Sequence, residues 1–228
     1  MRISERLTML AFPIGQAYLW RDGSALTLID TGIAGSGARI AAAVAEMGLD
    51  TAAIKRVVLT HGHNDHIGSA AEVRGWHGAT VYAHRGDADV VRGIAAPGVP
   101  VMADWEVEIF AATLPHVPPA PPCPVDVELT GGEVLDFGGG AHLVPVPGHT
   151  DGSLAVHLPE HGVLFTGDTI ASHEGEVILG VINTDPALAV ASMRVQADLG
   201  PDTVCFGHGA PVLTGGASAL RAAVSRLE

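Results

Sequence analysis

The apolar positions of this chain fall into short runs separated by glycine- and proline-rich breaks. Residues 7–12 and 17–20 read as a strand pair, and SALTLID at 24–30 as a third strand. The alanine-rich stretch 38–49 repeats its apolar residues at helical spacing, KRVVLT at 55–60 is a β-branched strand, 67–76 reads as a helix and 79–84 as a strand. The pattern resumes with strands at 132–137 and 142–146. A hairpin at 153–158 and 162–167 follows, around Pro159–Glu160, then a helix at 187–199, a strand at 203–207 and a closing helix at 217–227. Between the halves lies 87–124, with PGVP and then LPHVPPAPPCP, too dense in proline for a helix interior or a central strand. It is expected to be an inserted loop or lid on a single domain spanning 1–228. Strands and helices mixed through both halves predict an α/β (α+β) chain with sheets covered by helices.

Composition narrows this picture. With 228 residues, 47% hydrophobic and 16% charged, the chain is long and apolar enough for a sizeable core. A net charge of −13 repels phosphate backbones and argues against general nucleic-acid binding, although bound cations could reverse the sign locally. No apolar run reaches the roughly 18 residues a membrane span needs. The first twenty residues carry Glu5, Arg6 and Pro13 through their apolar stretch, so neither a membrane association nor a leader is expected, and the expected location is cytoplasmic. Cys123 and Cys205 are read as two free thiols. The expected partner is a small-molecule substrate, with a homo-oligomer left open.

The chemistry is concentrated in LTHGHNDHIG at 59–68. His61 and His63 are two apart at a strand end, so their side chains leave on one side, and Asp65 and His66 begin the next helix. Three further segments repeat the order apolar strand, glycine, ligand: LVPVPGH ending at His149, VLFTGD at Asp168 and TVCFGH at His208. Ligand sites in layered α/β proteins gather at the carboxyl ends of strands, and a glycine before the ligand allows a sharp turn. Five imidazoles and two carboxylates suit Zn²⁺ or iron better than Ca²⁺ or Mg²⁺.

The motifs HGHNDH at 61–66, PGHT at 147–150, TGDT at 166–169 and FGHG at 206–209 resemble those of the metallo-β-lactamase-fold hydrolases, and DTG at 30–32 resembles a fifth. The resemblance runs from about residue 15 to 213. It implies a four-layer αββα sandwich and a two-metal site, with two Zn²⁺ ions expected and iron or manganese as alternatives. His61, His63 and His149 would hold the first metal, Asp65, His66 and His208 the second, and Asp168 both. Asp30 would orient a ligand histidine, and Asp65 could also take a proton from the nucleophile. The implied reaction is hydrolysis of an ester, thioester or lactone by a hydroxide bridging the metals, whose parent water has a pKa lowered to about 7.

The subfamily is narrowed by departures. Asp168 as a bridging ligand disfavours a true β-lactamase; Ala171 stands where the resembling lactonases place a tyrosine; and only 20 residues follow His208, against the glutathione-binding extension of glyoxalase II enzymes. The alternatives are a mononuclear-iron persulfide dioxygenase and, below it, a non-catalytic binding module. His173, five after Asp168, is a candidate proton donor at the pocket rim, and Met102, Trp105, Phe110 and His116 are candidate substrate contacts.

Overall fold

The structure, a computed structural model, describes residues 1–227. The first sheet takes six strands in sequence order: β1 (Leu7–Ala11), β2 (Gln16–Asp22), β3 (Ala25–Ile29), β4 (Ile54–Val58), β5 (Thr80–His84) and β6 (Val127–Leu129). Strands β1 to β3 are an antiparallel meander, and β3 to β6 are parallel. Helices α1 (Gly37–Glu46), α2 (Asn64–Ile67), α3 (Ala70–His77) and α4 (Arg85–Val91) lie in the parallel connections, and α5 (Asp104–Thr113) lies before β6.

The second sheet runs β7 (Val134–Leu135), β8 (Ala141–Pro145), β9 (Leu154–Leu158) and β10 (Val163–Phe165). A two-stranded hairpin, β11 (Ile170–His173) with β12 (Glu176–Leu179), and helix α6 (Pro186–Asp198) follow. Strand β13 (Thr203–Cys205) then joins the sheet parallel to β10, and α7 (Gly216–Ser225) closes the chain segment described.

Alternation along the strands builds the layers. Successive side chains on a strand face opposite ways, and these strands are apolar on both faces. Leu19, Leu28 and Val57 enter a core shared with Ile40 and Val44 of α1 and Val73 of α3. Their neighbours Tyr18, Trp20, Ile29 and Val58 enter a second core with Leu143, Val156 and Phe165 of the opposing sheet. Ala155, Leu164 and Val204 face a third, with Met193 of α6 and Leu220 of α7. Three apolar interfaces make four layers, αββα. Cys205 lies in the middle core and Cys123 in the first, and both are free.

Several sequence expectations change. The helix expected over 67–76 is two helices, α2 and α3, broken at Gly68, where a Cβ would meet backbone atoms of Ile33, Ala34 and Asn64. The strand expected over 132–137 shortens to β7. The segment 87–124 is not all loop. Its first residues finish α4, and the fourteen proline-free positions between Pro100 and Pro115 hold α5. Glu106 caps that helix by accepting from the Ala103 backbone N–H at 2.8 Å, and a single 3₁₀ turn, Leu114–His116, ends it at the proline run. Prolines exclude a helix only where they stand. Among the described residues no helix is long and apolar enough to cross a membrane.

Candidate metal centre

Four strand ends converge at one rim of the sandwich. His61 and His63 follow β4, His149 follows β8, Asp168 follows β10 and His208 follows β13, while Asp65 and His66 sit on α2. The seven donors form two sets, His61 with His63 and His149, and Asp65 with His66, Asp168 and His208, with the ligand atoms of each set within 4.8 Å of one another. In the first, His63 Nδ1 stands 3.1 Å from His61 Nε2 and 2.9 Å from His149 Nε2. In the second, His208 Nε2 is 3.1 Å from Asp65 Oδ2 and 3.4 Å from His66 Nε2. Asp168 Oδ2 joins the sets, 3.1 and 3.2 Å from His208 and His66, and 3.8 Å from both His61 and His149.

These spacings fit a cation in each set. Ligand atoms on a tetrahedron about 2.1 Å from its centre stand ~3.4 Å apart. In the first set, burial and the neighbouring His66 hold the His61 imidazole well below its ordinary value; burial also lowers His63 and takes His149 down to about 4. Three neutral rings, each with one lone pair to offer, thus meet at one point, a donor set suited to a cation placed between them. In the second set the nearby Asp168 carboxylate raises His208 to about 10. His66 rises well above its usual range because Asp168, Asp65 and Asp30 outweigh its burial. Burial would raise Asp65 and Asp168, but His66 and His208 outweigh it and hold Asp65 at about 2 and Asp168 well below the carboxylate range. A cation entering this set therefore displaces protons from His66 and His208. The other carboxylate oxygen, Asp168 Oδ1, is buried and finds no hydrogen-bond partner among the described residues. A side chain at Gly207 would collide with it and bring its Cβ 2.7 Å from His66 Cε1, so the close approach of this strand end requires glycine.

Supporting contacts orient the rings. Asp30, in the left-handed region at φ 57°, accepts from His66 Nδ1 at 2.9 Å, from the Thr60 backbone N–H at 2.8 Å and from the Thr60 hydroxyl at 2.7 Å. The Thr60 hydroxyl oxygen in turn lies 3.0 Å from His61 Nδ1. Asp30 therefore fixes the tautomers of two histidines, one directly and one through Thr60, leaving both Nε2 atoms free for the site. An Asp30→Asn protein is expected to bind its metals 10–100-fold more weakly, the usual cost of losing such a contact. Competition against a chelating dye measures this, and an unchanged affinity would show that packing alone orients the rings.

Sequence reasoning missed three supports. Asp87, buried on α4, accepts from Gly62 N at 2.7 Å, Gly152 N at 3.0 Å and the Thr150 hydroxyl at 2.7 Å, tying the loop of His61 and His63 to that of His149. On β2, the Tyr18 hydroxyl donates to Phe206 O at 2.7 Å and Gln16 Nε2 to Gly209 O at 2.6 Å, bracing the turn that carries His208. No local pattern marks these residues, since each partner is distant in sequence.

Above the donors opens a cavity of about 620 Å³ lined by Phe110, His63, Asp65, His149, Asp168 and His208 among others. Of the candidate substrate contacts only Phe110 lines it. Met102, Trp105 and His116 do not, and Trp105, on α5, is 56% exposed. His173 is likewise corrected. It ends β11 paired with Glu176 on the exposed hairpin and does not line the cavity.

A family model described as the metallo-beta-lactamase superfamily matches residues 11–208. YobT of Bacillus subtilis (strain 168) is 29% identical over 214 residues, 87% of this chain and 84% of that protein. A hydroxyacylglutathione hydrolase of Cereibacter sphaeroides is 28% identical over 158 residues, 68% of this chain but 48% of that enzyme, so the match spans about half its length. Among solved structures, TTHA1623 in a di-iron-bound form superposes with a TM-score of 0.69 at 28% identity, over 93% of this chain and 96% of that one. Fold, donor set and family match agree, and the chain belongs to the metallo-beta-lactamase superfamily.

Proposed function

We propose that the protein is a two-metal hydrolase, zinc-dependent, that cleaves an ester, thioester or lactone of a small molecule. The observation that carries this reading is Asp168 Oδ2, which lies within 3.8 Å of histidines from both donor sets, as a residue shared by two cations must. His61, His63 and His149 would hold one ion, and Asp65, His66 and His208 the other. Two bound cations would supply Lewis-acid polarisation of a carbonyl oxygen and acidify a water that is otherwise a poor nucleophile.

The chain's own residues complete the site. Asp65, ionised at neutral pH and facing the cavity, can accept a proton or hydrogen bond beside the scissile carbonyl. Asp30 and Thr60 keep two imidazoles in one tautomer throughout. The hydroxyacylglutathione hydrolase among the relatives supports thioester cleavage as one form of this chemistry, and the di-iron form of TTHA1623 makes iron the competing metal.

Elemental mass spectrometry on freshly purified protein, paired with a panel of esters, thioesters and lactones, tests the proposal. About two zinc ions per chain are expected, with hydrolysis abolished by a chelator and restored by zinc. One iron per chain, no hydrolysis and oxygen uptake with persulfides would replace this reading with the dioxygenase one.

A further inference from the structure

The walls of the cavity differ in chemistry from its floor. The floor carries the histidines with Asp65 and Asp168. The walls are built by the β1–β2 turn, by the 97–117 segment and by the loop after β12, with Phe12, Ile14, Phe110, Leu114, Val181 and Ile182 facing inward. No lysine or arginine lines the cavity among the described residues, and the chain as a whole has 12 against 25 acidic residues. Its volume of about 620 Å³ is that of a site for a small ligand rather than a surface dimple. Leu114 and Ile109, both lining residues, remain 51% and 43% exposed, so apolar surface still faces water there.

One wall is held under strain. Ile182 is β-branched yet sits at φ 61°, a left-handed conformation that such residues avoid. Its backbone N–H donates to Glu106 Oε1 at 2.9 Å, while Glu106 Oε2 accepts from the Ala103 N–H at 2.8 Å. The Val101 N–H donates to Asn183 O at 2.8 Å, a second tie between the two segments. Buried Glu106 thus clamps α5 to the 180–183 loop. Strained backbone persists where the surroundings impose it, and it clusters at ligand sites.

We propose that this wall is an acyl-binding subsite, and that the substrate is an uncharged ester or thioester with a medium-length aliphatic or aryl acyl group rather than a glutathione conjugate. Glutathione carries two carboxylates, and the walls offer no cation to either. An apolar acyl chain along Phe110, Leu114 and Ile182 would instead displace water from surface that the fold leaves uncovered. The reaction remains hydrolysis. The acyl carbon gains a bond to water oxygen and loses its bond to the alcohol or thiol, which leaves with the proton from that water. Glu106 is a positioning residue, acting through α5 and Ile182 without touching substrate.

This inference rests on the hydrolase reading, and the experiment separates the two. The metal-loaded protein is titrated with octanamide, a neutral and unreactive acyl mimic, and with glutathione by calorimetry. In parallel, para-nitrophenyl acetate, butyrate, hexanoate and octanoate are compared with lactoylglutathione. A fully buried methylene is worth about fourfold, so octanoate should exceed acetate in kcat/KM by at least roughly tenfold. Octanamide should bind and glutathione should not. Ile182→Gly, which removes both strain and side chain, should lower the octanoate-to-acetate ratio about tenfold without lowering the melting temperature. Phe110→Ala should lower the ratio similarly. Glu106→Gln, which keeps the size but weakens the clamp, should lower it less. Octanamide binding without hydrolysis of any ester would keep the subsite and overturn the hydrolase. Hydrolysis that ignores chain length, or that prefers lactoylglutathione, would overturn the subsite and keep the hydrolase.

Discussion

An Asp168→Asn protein is expected to fold, to lose at least one of its metal ions and to hydrolyse its best substrate on the order of a thousandfold more slowly. The amide has the size of the carboxylate, so the packing around Thr166 and Thr169, both buried, is retained. What disappears is the negative charge whose Oδ2 faces His66 and His208 at 3.2 and 3.1 Å, and His61 and His149 at 3.8 Å. Lewis-acid stabilisation of a developing charge is worth several kcal/mol, and about 4 kcal/mol is a thousandfold in rate. Metal content by elemental mass spectrometry, kcat/KM and circular dichroism on one preparation check this. If activity stayed within tenfold of the parent with metal content unchanged, Asp168 would not be the shared ligand, and the two donor sets would act independently.

The largest stability effect is expected at a residue that touches no metal. Asp87→Ala should destabilise the fold by about 4 kcal/mol, because it strands several buried groups at once, each costing ~1–3 kcal/mol when unpaired. The Gly62 and Gly152 N–H groups and the Thr150 hydroxyl all donate to this carboxylate. Side-chain atoms at Gly152 would overlap Asp87 at 2.5–2.7 Å, so the two segments are already in close contact, and a water admitted by the smaller alanine can replace only part of the network. Denaturant unfolding of the chelated protein isolates this term from metal binding. The loaded protein should also lose affinity at the His61, His63 and His149 set, since Gly62 lies between two of its ligands and Thr150 follows the third. A loss of under 1 kcal/mol would mean that the loops are held by their strands and not by Asp87.

The layered fold and the donor set were legible for different reasons. Each strand alternates between two apolar faces, a local pattern that survives folding, so most elements are where the sequence places them. The elements misread were those whose limits come from context. The proline-rich segment concealed α5 because its helical stretch is short and its cap, Glu106, also answers to Ile182 far along the chain, 76 positions away. His173 stands near Asp168 in sequence, whereas at the end of β11 it is exposed and does not line the cavity.

By itself the sequence determined the candidate donor set. Five donors follow strand ends, four of them directly behind a glycine, and two more open the helix after His63, and that order of residue types declares which atoms can meet a metal. Only the tertiary structure decided how closely those donors approach one another and Asp168, which distant groups hold them and what surrounds the cavity. The Gln16 amide meets the Phe206 carbonyl across 190 positions, and Asp87 meets Gly152 across 65. Such contacts depend on how two sheets pack and on which loops that packing brings to one rim. Side-chain patterning reports only on neighbours a few residues apart, so it can name the ligands of this site but not its supports or its walls.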